Sequence, residues 1–309
     1  MPVTATAEHE QAPIPPPPSS RSWSRAWGDI VEGFKQRELW GHLGWQDIKQ
    51  RYRRSVIGPL WITLSMAITA VGLGLLYSQL FGAQISTFLP YITVGFIVWN
   101  FMLGCLTEGT DTFIRNEGLI KHLPAPVTVY ALRTVWRLTL MFAHNLLVYF
   151  VVVSIYWFDL TKTGYEITPG GSPQPGISWA ILLAVPAFVV LAINGGWVAI
   201  LFGIISTRYR DIPPVITSLS SLMFFMTPIV WTTDILTRFS AKGGETGGWR
   251  ILVAELNPLY HYMQILRAPL IGNAQSWHHW VVVGAFTVVG WGLALLAMRN
   301  YRARISYWV

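Results

Sequence analysis

Long apolar runs, bounded by polar or basic residues, dominate this chain from residue 60 to its end. A helix crossing the hydrocarbon layer needs roughly 20 mostly apolar residues at about 1.5 Å rise each. Six segments approach or meet that length, at about 60–81, 87–108, 127–156, 177–206, 214–231 and 277–298. Ahead of them the pattern changes. Over 22–35, Trp23, Trp27, Ile30, Val31 and Phe34 recur at three- and four-residue steps, as one face of a helix does. Over 38–54, Leu39, Leu43, Ile48 and Tyr52 alternate with Arg37, Lys49, Arg51, Arg53 and Arg54. An apolar face opposite basic residues is the profile of a helix lying in the headgroup plane. The expected fold is therefore all-α and integral to a membrane, with six spans and an amphipathic N-terminal interface helix. The expected organisation is a disordered proline-rich tail over 1–21, interface helices over 22–55 and a six-helix transmembrane domain over 56–309.

The long stretch over 232–276 is not loop-like throughout. Leu252, Val253, Leu256, Leu259, Met263, Leu266 and Leu270 make an apolar segment interrupted by Pro258 and Pro269. Too short to span, it predicts a re-entrant or interfacial helix pair. The stretch over 159–176, rich in Gly and Pro, reads as a plain loop.

Composition sharpens the class. The 309 residues are 52% hydrophobic and only 12% charged, about half the charge of an average soluble domain. The net charge of +7 does not point to nucleic acid, because the basic residues border the apolar runs. With the N-terminus inside, 17 of the 22 Lys and Arg fall on the inner side; Lys162, Arg238, Lys242, Arg250 and Arg267 fall outside. Positive residues stay on the cytoplasmic side, so both termini are expected in the cytoplasm. Arg133 and Arg137, at the start of the third run, are expected to reach the headgroups.

The chemistry the chain lacks also narrows its function. There is no GxxxxGK[ST] phosphate loop, no HExxH, and one cysteine, Cys105, inside an apolar run. The histidines at 9, 42, 122, 144, 261, 278 and 279 are scattered, and no metal site is expected; His278 and His279, beside Trp277, read as a headgroup contact. His144 and Asn145 read as an interhelical hydrogen bond rather than a contact with cargo. Glu108 and Asp111, near Arg115, read as a salt-bridged helix end rather than a general acid/base pair. No catalytic residue is expected, which disfavours a membrane glycosyl- or acyltransferase. A transport path is suggested by Trp61, Ser65, Thr69 and Gly72 on the first run. On the fifth, Thr217, Ser221, Phe224 and Trp231 repeat the pattern, with Ser220, Thr227 and Pro228 on the same side. Aromatic faces and hydroxyls suit carbohydrate, although small polar residues also simply pack helices together.

Three motifs resemble the ABC-2 type polysaccharide permeases: RYRRSVIGPLW over 51–61, RYRDIP over 208–213 and NPLYHYMQILRAPLIG over 257–272. The resemblance runs from about Trp40 onward. It implies a homodimer of permease chains with two separate ATPase subunits, which carry ATP and Mg, exporting lipid-linked glycan across the cytoplasmic membrane. It also implies that Lys49, Arg51, Arg53 and Arg54 meet the ATPase, and that NEGLIKHLP over 116–124 is the coupling helix, with Asn116, Glu117, Leu119, Lys121 and His122. Segments around 233–236 and 258–270 would be outer gate helices, with Asn257, Pro258, Tyr260, His261 and Arg267. Within the family, the proline-rich opening and the Trp-rich wording are nearest to permeases for lipid-linked galactan in bacteria with mycolate-bearing walls. An ABC-2 permease for a small lipid or drug is the alternative.

Overall fold

The computed structural model describes residues 21–53, 55–58, 60–123, 125–235 and 248–309. Residues 1–20 of the proline-rich opening, Arg54, and Leu236 of the 233–236 segment lie outside the described residues. Two helices, α1 (Trp23–Lys35) and α2 (Arg37–Arg51), precede α3 (Leu60–Phe81) and α4 (Ile85–Thr110). Short α5 (Thr112–Arg115) and α6 (Glu117–His122) lead into α7 (Thr128–Ile155) and α8 (Trp157–Leu160). A 3₁₀ turn (Trp179–Leu183) opens α9 (Ala184–Arg208), followed by α10 (Ile212–Met226), α11 (Gly248–Glu255), α12 (Pro258–Ile271) and α13 (Trp277–Trp308). Among the described residues there is no strand, only the antiparallel bridge Tyr165–Gln174.

Five helices are long and apolar enough to cross a bilayer, α9 counting with its 3₁₀ turn. The protein is an all-helical integral membrane protein. The fifth expected run differs: α10 has 15 residues and stops at Met226 rather than Trp231. At about 1.5 Å per residue it covers roughly 22 Å, short of the roughly 30 Å hydrocarbon layer.

α4 is the central helix, packed against α3, α7, α9, α10 and α12, and 83% of its apolar window is buried. α3 and α13 keep most of their length on the outside, and in α10 Ser220 is the buried residue. An apolar surface without charge is stable only in lipid or against another protein.

Where α10 stops, the chain continues as irregular buried backbone through Thr227–Val230. Backbone polar groups at membrane depth find no water, so each must be paired internally. Two side chains supply donors. Tyr91 Oη of α4 donates to Trp231 O at 2.8 Å and to Pro228 O at 3.3 Å. Arg267 Nη1 of α12 donates to Pro228 O at 2.7 Å, and its guanidinium lies 4.1 Å from the Tyr91 ring centroid. Arg267 is the largest fully buried side chain, 1% exposed. Its stem and charge are accommodated because ring and carbonyl both face it.

On the face where α1 meets the C-terminal end of α13 (the termini face), buried Asp29 of α1 ties three helices together. Its carboxylate accepts from Val127 N (3.3 Å), Thr128 N (3.1 Å) and Thr128 Oγ1 (2.8 Å) at the start of α7, and from Arg302 Nη1 (3.0 Å) of α13. A carboxylate at a helix N-terminus satisfies unpaired N–H groups and opposes the positive end of the dipole. Trp23, Trp27 and Phe34 remain exposed on α1, as an interfacial helix requires.

The opposite face is more ordered than a plain loop. Tyr165 Oη donates to Ile271 O and to Asn273 Oδ1 (3.0 Å), and Ala274 N donates to Gln174 Oε1 at 3.0 Å. Burial pushes the Tyr165 phenol well above its ordinary pKa, so it stays a donor at every physiological pH. α12 starts at Pro258 behind an Asn257 cap that accepts from Leu259 N (3.0 Å). Pro269 stands inside the helix instead of breaking it, contrary to the sequence expectation. The helix ends at Gly272, whose φ of 71° places it in the left-handed region; a Cβ there would lie 2.2 Å from Gly176 C.

Tyr91→Phe removes the donor to two buried carbonyls and should lower stability by about 1–3 kcal/mol. Gly272→Ala should be at least as damaging, because strain adds to a backbone clash. Gly292→Ala, where nothing lies within 4 Å of the added carbon, should be neutral or stabilising. Thermal unfolding of the chain in detergent checks all three.

Candidate translocation groove and coupling cluster

Residues of α3, α4 and α10 border one groove. Trp61, Ser65 and Thr69 stand at four-residue steps on α3, the spacing of one helical face, and leave the buried set Met66, Ala70 and Gly74 to pack on α4. The hydroxyls of Ser65 and Thr69 each donate to the carbonyl four residues earlier, at 2.8 and 2.9 Å. Their oxygen lone pairs remain available to a ligand. α4 supplies the other wall through Phe96, Trp99, Asn100, Leu103, Thr107 and Glu108. Phe224 of α10 closes one end, 5.7 Å from Phe96 and 5.6 Å from Trp99, centroid to centroid.

The cavity is about 560 Å³ and extends from Tyr52 and Glu108, toward the termini face, to Thr69 and Phe96 near mid-depth. Asn145 of α7 also lines it, and among the described residues its Oδ1 takes no donor. His144 instead contacts Leu140 O of its own helix at 2.7 Å. Apolar aromatic faces interspersed with amide and hydroxyl groups can bind a ligand that is itself amphipathic, with ring faces and many hydroxyls.

The groove gathers four of the eight sequence-predicted path residues: Trp61, Ser65, Thr69 and Phe224. Gly72, Thr217 and Ser221 are exposed but outside it. Trp231 is engaged by its own segment, donating from Nε1 to Phe225 O at 3.1 Å. The α4 wall was missed, although Phe96, Asn100, Leu103 and Thr107 recur at three- and four-residue steps, a pattern visible in the sequence.

A second arrangement lies at the termini face. Gly44 of α2 allows close approach to α7: a Cβ would lie 2.9 Å from Trp136 Cδ1. Trp40 packs edge-on against Trp136 at 5.8 Å. This contact sets Asp47 against two arginines. Arg133 donates to both Asp47 oxygens, at 2.9 and 2.6 Å, and its third nitrogen donates to Asn116 Oδ1 at 2.7 Å. Arg137 pairs with Glu108 of α4 and lies 3.6 Å from Asp47. The four charged side chains are 13–23% exposed. Arg133 and Arg137 thus turn inward, where headgroup contact was expected. Their carboxylate partners outcompete water and lipid because both ends of each pair are held by packed helices. Glu108 likewise pairs with Arg137, while Asp111 takes Arg115 at 2.9 Å.

One guanidinium therefore joins α2 to Asn116, which precedes α6. No residue of α6 is buried, so Glu117, Leu119, Lys121 and His122 all face outward. Lys121 pairs with Glu117 at 2.5 Å and holds its carboxyl below the ordinary range, but in full solvent. Lys49, Arg51 and Arg53 are also exposed; Lys49 lies 5.7 Å over the Trp45 ring and Arg51 Nη1 contacts Met141 Sδ at 3.9 Å. The groups predicted to meet a partner are, where described, solvent-facing, apart from half-buried Asn116.

The predicted outer-gate residues are largely interior. Tyr260 and His261 are 5% and 3% exposed, and Asn257 Nδ2 donates to Thr227 Oγ1 at 2.8 Å. The structure also brings His261 against His278, His279 and Glu255, four groups whose ligand atoms lie within 4.8 Å of one another. Their sequence spacing gave no sign of this.

Apolar helices around a buried α4, a groove lined from α3, α4, α7 and α10 and a charged cluster at one face describe a multi-pass membrane protein. Residues 38–271 match the family model for the ABC-2 type transporter, and this chain belongs to that family. Among curated proteins it is similar to two O-antigen export system permease proteins RfbA from Klebsiella pneumoniae. Each is 23% identical over 228 residues, which is 72% of this chain and 82% of theirs. The RfbA permease of Myxococcus xanthus is 22% identical over 240 residues, 77% of this chain and 82% of that protein.

A double-mutant cycle of Asp47→Ala with Arg133→Ala should return a coupling of about 1–2 kcal/mol in thermal unfolding, since both partners are mostly shielded. The same cycle on Glu117 and Lys121 should return no measurable coupling.

Proposed function

We propose that this chain is the transmembrane subunit of an ATP-driven exporter that moves a lipid-linked polysaccharide outward across the cytoplasmic membrane. The groove of Trp61, Ser65, Thr69, Asn100 and Asn145 is the observation that carries this reading. It offers stacking faces and hydroxyl-compatible groups without a catalytic acid, base or nucleophile poised at its centre. The similarity to O-antigen permeases supports a glycan as cargo, and lipid-linked galactan is the polymer proposed.

The groove is open to one side, between the exposed faces of α3 and α10. Leu64, Ile68 and Leu76 on α3 and Leu222 and Phe225 on α10 present apolar surface there. A second copy of the chain would wall the groove off from lipid, and the working unit is a homodimer. ATP and Mg belong to two separate ATPase subunits. These dock on the basic end of α2 (Lys49 and Arg51) and the Arg53 and Arg54 that follow it in sequence, and press on α6 from the cytoplasm. Arg133, bonded to Asp47 and Asn116, carries the displacement from α2 to the helices that border the groove. Both termini are cytoplasmic in this arrangement. The segment that completes the α10 crossing and the α11–α12 pair are the outer gate.

The test is reconstitution of the chain with the ATPase encoded beside it, in vesicles containing lipid-linked galactan. ATP-dependent appearance of galactan in the lumen of inside-out vesicles is expected, and Trp61→Ala with Asn100→Ala should lower it about tenfold. Transport of a small lipid with no response to glycan would overturn the polymer reading. Charge removal at Arg51, Arg53 and Arg54 to Gln should weaken ATPase binding about tenfold at low salt, and less at high salt, with membrane insertion unchanged. Binding unaffected by that triple change would remove α2 from the docking surface.

A further inference from the structure

The cluster of Glu255, His261, His278 and His279 lies away from the groove, where the end of α11, the first turn of α12 and the start of α13 meet. We propose that these four residues form a site for one zinc-class divalent cation, which clamps the α11–α12 pair to the last membrane helix.

The donor set is the first ground. Three imidazoles and one carboxylate are the ligands of a four-coordinate zinc site, and their ligand atoms already fall within 4.8 Å of one another. Second, a hydrogen bond fixes the tautomer of His261. His261 Nε2 lies 2.7 Å from Glu255 O, which only accepts, so Nε2 carries the proton and Nδ1 the lone pair. That Nδ1 lies 2.8 Å from His279 Nδ1. On the exposed side, His278 Nδ1 meets Ser276 Oγ at 2.6 Å, and its Nε2 points at Glu255 Oε2, 3.2 Å away. A backbone carbonyl or hydroxyl on the far nitrogen is how metal-ligating histidines are held.

The third ground is enclosure with access. His261 and His279 are buried, with Tyr260 edge-on to both rings at 5.5 and 5.3 Å. The side chains of His278 and Glu255 are 43% and 34% exposed, so a cation can enter from that side. Arg267, on the same helix as His261, is held over Tyr91 and against Pro228 O. Zinc at about 2.0–2.1 Å from each nitrogen needs the nitrogens about 3.3 Å apart. The His261–His279 pair must therefore open by about 0.5 Å, within the reach of small side-chain rotations. Imidazole and carboxylate donors favour zinc over magnesium or calcium, which prefer oxygen ligands alone. With four protein ligands and no open position, the role is structural.

The decisive measurement uses the full chain, purified in detergent without a polyhistidine tag. Metal analysis should find one zinc per chain. Chelator should remove it and lower the melting temperature, and ZnCl₂ but not MgCl₂ should restore it. Cobalt should give the strong visible absorption of a tetrahedral complex. Glu255→Gln with His278→Gln changes only the partly exposed ligands. That pair should weaken zinc binding at least tenfold and match the metal-free wild type in melting temperature. Absence of zinc binding by the wild type would overturn the site and leave His261–His279 as a simple N–H···N contact. Equal zinc affinity in the double variant would overturn it too, by moving binding elsewhere.

Discussion

Unpaired backbone cannot be left in hydrocarbon, and the architecture on the non-termini side follows from that constraint. α10 ends too early to cross, and Pro228 prevents its simple continuation because it has no N–H to offer. The carbonyls freed between Pro228 and Trp231 are met by Tyr91 from α4 and Arg267 from α12. α12 must therefore lie against α4 at this depth, and a charged side chain becomes tolerable in the interior because ring and carbonyl surround it. Gly272, Tyr165 and Gln174 then tie the end of α12 to the preceding loop. What reads in sequence as two loops and a broken apolar segment is one interlocked cap.

The termini face is organised by charge instead. Asp29 draws the starts and ends of α1, α7 and α13 to one carboxylate, and Asp47 gathers Arg133 and, through it, Asn116. Such pairs are directional and can break and re-form, whereas the packed aromatic and aliphatic contacts around α4 cannot yield without losing buried area. The groove lies between these regimes. Its wall is the rigid α4, and its inner end reaches Glu108, itself paired with Arg137. Arg137, paired with Glu108 and 3.6 Å from Asp47, stands between α2 and the inner end of the groove.

Much of this was legible beforehand. The first four apolar runs became helices close to their expected bounds, and the sixth began where expected but continued ten residues further, to Trp308. The amphipathic character of α1, the exposure of Lys49, Arg51 and Arg53 and the helix over Glu117–His122 were also legible. So were the α3 residues of the groove, from four-residue spacing. The inward turn of Arg133 and Arg137 was not, since hydropathy cannot distinguish a headgroup from a carboxylate on another helix. Nor was the absence of Gly72, Thr217, Ser221 and Trp231 from the groove, because which faces line it depends on how the helices cross.

The sequence by itself determined that this chain lives in a membrane, how many apolar runs it has, where its charges gather and which family it resembles. Those properties are local: each is settled within some 20 residues by transfer from water to lipid. Only the tertiary structure decided that α10 stops short, that Arg267 is buried over Tyr91, that α4 walls the groove and that three histidines meet one glutamate. The pairings among these join separate elements, up to 176 positions apart for Tyr91 and Arg267. Such pairings are selected by packing geometry and by the demand that every buried polar group find a partner.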